Sequence, residues 1–329
     1  MLLSKGSKSM RELIYTQAIS EAIREEMARD ETVFSIGEDI GPVTHREDLW
    51  NQFMAQRIWQ TPISESGFVG LAAGAAMTGL RPIAVIMYCD FVGVCMDPIV
   101  NQAAKVFLMS GGQIKVPLVI RTPAGAGTRE GGHHSGSLES WFVHAPGLKV
   151  VMPSDPYDAK GLMKSAIRDD GPVVYIQHRV LHQTSKQQCP EGEWLVPLGK
   201  ADVKRPGSDV TVVGVSIGVQ KALDAAEQLD GEISVEVVDP RSLVPLDTET
   251  ILASVRKTHR LLVVHEAPRR GGAGAEIIRR VTEEGFDLLR AAPRVLGGLN
   301  TPMPYSPPLE DACLPQPADI VQAVREMMD

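Results

Sequence analysis

The sequence predicts an α/β protein of two domains, each a mainly parallel sheet covered by helices. Three observations carry that reading. Short apolar segments bounded by Pro or Gly alternate with longer segments of helical periodicity. These short segments are apolar throughout rather than at every second residue, as strands buried on both faces must be. Midway, from about Leu181 to Gly207, the periodicity fails: His182-Gln183-Thr184-Ser185-Lys186-Gln187-Gln188 is polar, and Pro190, Pro197 and Pro206 punctuate the rest. The 329 residues thus divide into a first domain over 10–182, a linker over 183–207 and a second domain over 208–329, a length ordinary for two domains.

In chain order, residues 11–29 set Ile14, Ala18, Ile19, Ala22, Ile23 and Met27 at helical spacing and predict an amphipathic helix. Residues 33–36 form a short buried strand ended by Gly37. A helix over 67–79 follows, in which Gly70 and Gly74 leave one face nearly bare, so that another helix can approach closely. It is too short to span a bilayer. Strands are expected at 82–88, 117–121 and 148–152, with a helix over 91–109 between the first two. Ser154-Asp155-Pro156 starts another helix, with Asp155 as cap and Pro156 at the first helical position. Gly171-Pro172 ends it before a strand at 173–176. The second domain reads as strand 210–215, helix to 229, strand 234–238, helix 248–256, strand 261–264, helix 274–282, strand 295–298 and a closing helix 318–328.

Composition narrows the function. With 43% hydrophobic and 22% charged residues the chain reads as globular. A net charge of −8, without a basic run interleaved with aromatics, argues against nucleic acid and suits a basic protein partner. No apolar run approaches the ~20 residues of a membrane span, and the first ten residues lack a signal-peptide core. Cys89, Cys95, Cys189 and Cys313 make no metal spacing and read as reduced thiols, so a cytoplasmic location is expected.

Three segments of the first domain carry chemistry. Glu65, in Thr61-Pro62-Ile63-Ser64-Glu65-Ser66-Gly67-Phe68, is a lone acid opening an apolar, small-residue run. Spacing alone fits either a solvated acid favoured at a helix start or a carboxyl bonding one ligand nitrogen. Met87-Tyr88-Cys89-Asp90-Phe91 lies at the end of a strand, where open α/β sheets place ligands; Phe91 is either a core aromatic or a face for a flat heterocycle. Gly125-Ala126-Gly127-Thr128-Arg129-Glu130-Gly131-Gly132-His133-His134 permits close backbone approach and offers proton transfer near neutral pH. Metal binding or a solvated loop would also produce such a His pair. Gly271-Gly272-Ala273-Gly274 opens a helix but is incomplete as a dinucleotide fingerprint, and reads as a close-packed helix start.

Over nearly its full length the chain resembles the β subunit of the thiamine-diphosphate-dependent component of 2-oxo acid dehydrogenase complexes. The segments that carry the resemblance are Gly79-Leu80-Arg81-Pro82-Ile83, Ala103-Ala104-Lys105, Met109-Ser110-Gly111-Gly112 and Pro146-Gly147-Leu148-Lys149-Val150-Val151, with Asp158-Ala159-Lys160-Gly161-Leu162, His265-Glu266-Ala267-Pro268 and Thr301-Pro302-Met303-Pro304-Tyr305. The resemblance implies a transketolase-like pyrimidine-binding domain followed by a transketolase C-terminal domain. It implies an α2β2 heterotetramer whose α subunit holds Mg2+ and the diphosphate through a Gly-Asp-Gly motif that this sequence lacks. Glu65 would bond N1′ of the aminopyrimidine, Phe91 would pack on that ring, and Ile63 and Met87 would be its apolar neighbours. His134 would face the 2-oxo acid or the incoming lipoyl group of a dihydrolipoyl acyltransferase. The main-chain carbonyls of Leu118, Ala166, Ile167 and Asp169 correspond to a potassium site.

Two positions depart from the family pattern: Gly136 stands where Gln is usual, and Gln177 where a Glu is usual. The implied reaction is decarboxylation of a 2-oxo acid, pyruvate or branched-chain, with acyl transfer to lipoamide. Acetoin cleavage, a lipoamide-independent split transketolase or acyloin synthase, and a non-catalytic scaffold are the alternatives.

Overall fold

The computed structural model describes residues 9–41, 49–53 and 56–329. A seven-stranded sheet runs in the order Ser242–Val244, Lys149–Val151, Val173–His178, Val119–Ala124, Arg81–Val85, Val33–Gly37 and Ile58–Gln60. All its pairings are parallel except that of Ser242–Val244. A five-stranded sheet runs Arg294–Gly298, Leu261–Pro268, Val210–Gly214, Val235–Asp239 and Asp202–Arg205, parallel except at the last strand. The α/β class and its mainly parallel sheets therefore hold.

Side-chain alternation divides the first sheet between two cores. Ile83, Val85, Val119, Val173 and Tyr175 face the helices Tyr15–Arg29 and Pro156–Arg168. Ala84, Ile86, Ile120, Val174 and Ile176 face the other way, onto the helix Glu65–Met77. That second core is continuous with Val213, Val215, Val263 and Ile277 of the second sheet, so the two halves share one apolar interior. On the opposite face, fully buried Lys160 donates to Glu21 Oε1 at 2.5 Å and Glu25 Oε1 at 2.8 Å, and Lys164 to Glu25 Oε2 at 2.6 Å, joining the two covering helices. Asp155 caps Pro156–Arg168 as expected, accepting from Asp158 N at 2.8 Å.

The structure differs from the sequence reading in three places. Residues Met10–Ile14 are a strand, not the first turn of a helix, because they pair antiparallel with Lys186–Pro190. The 183–207 segment is correspondingly structured: it contributes that strand to a two-stranded sheet and Asp202–Arg205 to the second sheet. In 91–109 the helix breaks into a 3-10 turn Cys89–Val94, a wider π turn Asp97–Ala103 and a short α-helix Val106–Met109. Pro98, which has no N–H to give the preceding turn, sits at the second residue of the middle piece.

Gly70 meets the Pro98 side chain at ordinary contact distance, so the bare helix face is used within the chain, whereas nothing approaches Gly74. Gly272 and Gly274 close on the His265 ring, the close packing expected of that helix start. Among the described residues no helix is long and apolar enough to cross a membrane.

Candidate active site

Three segments at the C-terminal ends of adjacent parallel strands converge: Glu38 after Val33–Gly37, residues 86–91 after Arg81–Val85, and the Gly-rich loop after Val119–Ala124. This is the ligand edge of an open parallel sheet. Glu65 opens the helix Glu65–Met77 beside them.

Glu65 and Glu38 are both buried, 7% and 3% exposed. Burial first, then the negative charge of Glu65 and a hydrogen bond between the two carboxyls, push the Glu38 carboxyl up to about 7. Asp39 adds to the rise, and only a backbone bond at Ser64 opposes it. Glu38 Oε2 has no hydrogen-bond partner among the described residues. Sequence reasoning found Glu65 and missed Glu38. The signal available was its position, immediately after a strand end.

An aromatic wall stands in the neighbouring segments. The Tyr88 ring lies 5.3 Å from Phe91 and 4.3 Å from His134, and Phe91 lies 5.7 Å from His134, all edge-on. Arg179 holds Tyr88 from behind, its guanidinium 4.6 Å from the ring centre, and donates to Glu130 Oε1 at 2.8 Å. His134 thus turns into this wall while His133 is exposed. Met87 is half-buried and Ile63 is 79% exposed, an apolar side chain left bare beside Glu65.

The Gly-rich loop is fastened by the second half of the chain. Ala126 N donates to Glu266 Oε2 at 3.2 Å and Gly127 N to Glu310 Oε1 at 2.9 Å, while Arg129 Nη1 reaches Glu310 Oε2 at 2.7 Å. Gly125, at φ +90°, has no room for a side chain: a Cβ would lie 2.1 Å from His178 Nε2.

The quartet Leu118, Ala166, Ile167 and Asp169 does not fit a potassium site as it stands. Arg81 Nη1 donates to the carbonyls of Ile167 at 3.0 Å and Asp169 at 2.9 Å. Leu118 O accepts from Val173 N and Ala166 O from Asp169 N. A guanidinium supplies the positive charge those carbonyls attract, and a metal ion would have to displace it.

Comparison with known proteins identifies the family of the chain. The family described as transketolase, pyrimidine binding domain matches residues 11–184, and transketolase, C-terminal domain matches residues 199–320. The pyruvate dehydrogenase E1 component subunit beta of Rickettsia conorii is 45% identical over 316 residues, 94% of this chain and 97% of that protein. The acetoin:2,6-dichlorophenolindophenol oxidoreductase subunit beta of Bacillus subtilis is 44% identical over 330 residues, 95% of this chain and 96% of that protein. The chain belongs to the β subunits of the thiamine-diphosphate-dependent 2-oxo acid dehydrogenases. A solved split gene transketolase, an inactive beta4 tetramer, shares the β subunit's fold with a TM-score of 0.79 at 24% identity, covering 96% of this chain and 98% of that one.

The β subunit's two departures acquire physical surroundings. Gly136 N donates to Asp90 Oδ2 at 3.0 Å, and a Cβ on Gly136 would lie 2.5 Å from Asp90 Oδ1, so the small residue makes room for a carboxylate. Gln177 is buried and accepts from Arg121 Nε at 3.2 Å. Burial holds that guanidinium down to about 10, and no carboxylate faces it among the described residues. A Glu at 177 would supply one; the structure gives no reason for its replacement.

The buried acid pair and the Phe91 face fit an aminopyrimidine. The pair can share a proton with a ring nitrogen, and such a bond is stronger in a dry pocket than in water.

Proposed function

We propose that this β subunit, joined to an α subunit in an α2β2 heterotetramer in the cytoplasm, decarboxylates a 2-oxo acid, pyruvate or branched-chain. The acyl group passes to lipoamide on a dihydrolipoyl acyltransferase that docks on the acidic second domain. The observation that carries this reading is the burial of two carboxyls, Glu38 and Glu65, side by side at the ligand edge of the sheet. Thiamine diphosphate, once bound, would supply a nucleophilic carbon and an electron sink for the decarboxylation. Glu65 would hold the cofactor's pyrimidine by sharing a proton with its N1′, which would favour the imino form of the neighbouring amino group. Glu38, buried beside it, would be the second carboxyl of the pair.

Phe91 offers its face to the pyrimidine, and Ile63 and Met87 pack against the cofactor. His134, held against Tyr88 and Phe91, donates a proton to the dithiolane sulfur as the disulfide opens. Mg2+ and the diphosphate are held by the α subunit. No potassium is invoked, because Arg81 donates to two of the four carbonyls in question, those of Ile167 and Asp169.

The test is reductive acylation of a lipoyl domain by the α plus β complex with a 2-oxo acid. Glu65→Gln is expected to lower the rate by ~10²–10⁴-fold, the range for a positioned acid–base group, without changing assembly in sedimentation. A Glu65→Ala complex with undiminished turnover would overturn the reading in favour of a scaffold.

A further inference from the structure

We propose that Arg179, acting through Tyr88 and Glu130, is the positioning residue that aims His134 in acyl transfer; this rests on the proton-donor role given to His134 above. The ring nitrogens of His134 make no hydrogen bond among the described residues. Which nitrogen of a histidine carries the proton is ordinarily set by a hydrogen bond to the other. Here the aim of the ring rests on aromatic contacts instead. Tyr88 is the nearer, its centre 4.3 Å from the imidazole with the planes at 74°, against 5.7 Å for Phe91. Whatever fixes Tyr88 therefore fixes the imidazole.

Arg179 does so from two sides. Its guanidinium stacks 4.6 Å from the Tyr88 ring centre and forks onto both carboxylate oxygens of Glu130, Nη2 donating to Oε1 at 2.8 Å and Nη1 pairing with Oε2. A planar, delocalised cation can face a ring and fork onto a carboxylate at once, which a compact ammonium cannot. Glu130 lies four positions before His134 in the same loop, between Arg129 at φ +63° and Gly131 at φ +70°. A left-handed backbone is sparsely used by a residue with a side chain, so this course of the loop calls for fastening from outside. Arg179 supplies it from a rigid place: its own N–H donates to Ala124 O at 3.1 Å, the end of the strand from which the loop departs. One side chain thus grips the loop at Glu130 and, through Tyr88, at the imidazole.

The step that needs this aim is the opening of the dithiolane. The acyl carbon brings an electron pair to one sulfur, the S–S bond breaks, and its pair goes to the other sulfur, which takes the proton of His134. A donor misplaced by ~1 Å can cost about 10²-fold. Loss of CO2 from the 2-oxo acid comes earlier and makes no call on that proton.

The experiment uses the α plus β complex with thiamine diphosphate, Mg2+ and pyruvate, and compares two acceptors. One is a lipoyl domain; the other is dichlorophenolindophenol, which takes electrons without a dithiolane to protonate. Arg179→Met is expected to lower kcat with the lipoyl domain by about 10²-fold, with a far smaller loss for the dye and KM for pyruvate little changed. Tyr88→Leu, which removes the ring, is expected to show the same selective loss, and Tyr88→Phe, which keeps it, to match wild type. In a His134→Ala background, Arg179→Met is expected to cost nothing further with the lipoyl domain, because no imidazole remains to be aimed. Sedimentation checks assembly, and should Arg179→Met not assemble, the Tyr88 pair carries the same comparison. The inference fails if Arg179→Met acylates the lipoyl domain at the wild-type rate, slows both acceptors equally, or adds its own loss to that of His134→Ala. Undiminished acylation by His134→Ala would remove the donor role and this inference with it. A wild-type complex that reduces neither acceptor would remove the thiamine reading beneath both.

Discussion

Glu266 ties the Gly-rich loop to the second half of the chain, and its removal has a calculable cost. Its carboxylate accepts from Ala126 N at 3.2 Å, from Lys221 Nζ at 2.9 Å, and pairs with His178 Nε2 at 2.8 Å. Burial pushes this carboxyl up, but the charges and hydrogen bonds of His178 and Lys221 prevail and hold it down at about 2, against an ordinary 4.5. That difference corresponds to about 3 kcal/mol. A depressed folded value gives stability that is present above pH 4.5 and lost as pH falls through about 2. Glu266→Gln keeps the shape and discards the charge. It should therefore cost about 3 kcal/mol at pH 7, roughly half that at pH 3, and lower the melting temperature at pH 7 by about 4 °C. The assay is thermal melting followed by circular dichroism at both pH values, with hydrogen exchange over 125–137 reporting the freed loop. Lys221→Met alone and combined with Glu266→Gln closes a double-mutant cycle, and a coupling above about 1 kcal/mol is expected for groups in direct contact. Unchanged melting at pH 7, or a deficit that does not shrink on acidification, would refute the clamp.

Two further outcomes follow from side chains whose partners are unusual. Gln177→Glu places a carboxylate against buried Arg121, and a charge-assisted bond there should stabilise by about 1–3 kcal/mol; a lowered melting temperature would show that the pocket was shaped for a neutral amide. Because Arg81 occupies the carbonyls of Ile167 and Asp169, replacing Na+ with K+ at constant ionic strength should leave wild-type melting unaltered. Arg81→Ala should destabilise the chain and make its melting respond to potassium. A potassium-specific rise in the wild type would show that the ion displaces the guanidinium.

What was legible in the sequence follows how local each determinant is. The strands Val33–Gly37, Arg81–Val85, Val119–Ala124 and Val173–His178 announce themselves because burial on both faces demands apolar residues at every position. Met10–Ile14 does not, because its helix-like spacing runs on into Tyr15–Arg29 and its partner Lys186–Pro190 is largely polar and exposed. Pairing between two such segments is decided by proximity, which no window of sequence contains.

The site divides the same way. Glu65 stands out as an acid opening an apolar run, and Phe91 and His134 lie in segments whose Gly or strand-end context marks them. Glu38 looks like a surface acid in Gly37-Glu38-Asp39 and becomes chemical only when folding brings it against Glu65 in a buried setting. Gly136 shows the converse. Alone it is an unexplained departure, and only the structure shows that the space it vacates is filled by Asp90. The space beside the loop glycine is taken by a carboxylate from the strand end. Residues 46 positions apart thus meet, a contact that no window of sequence contains.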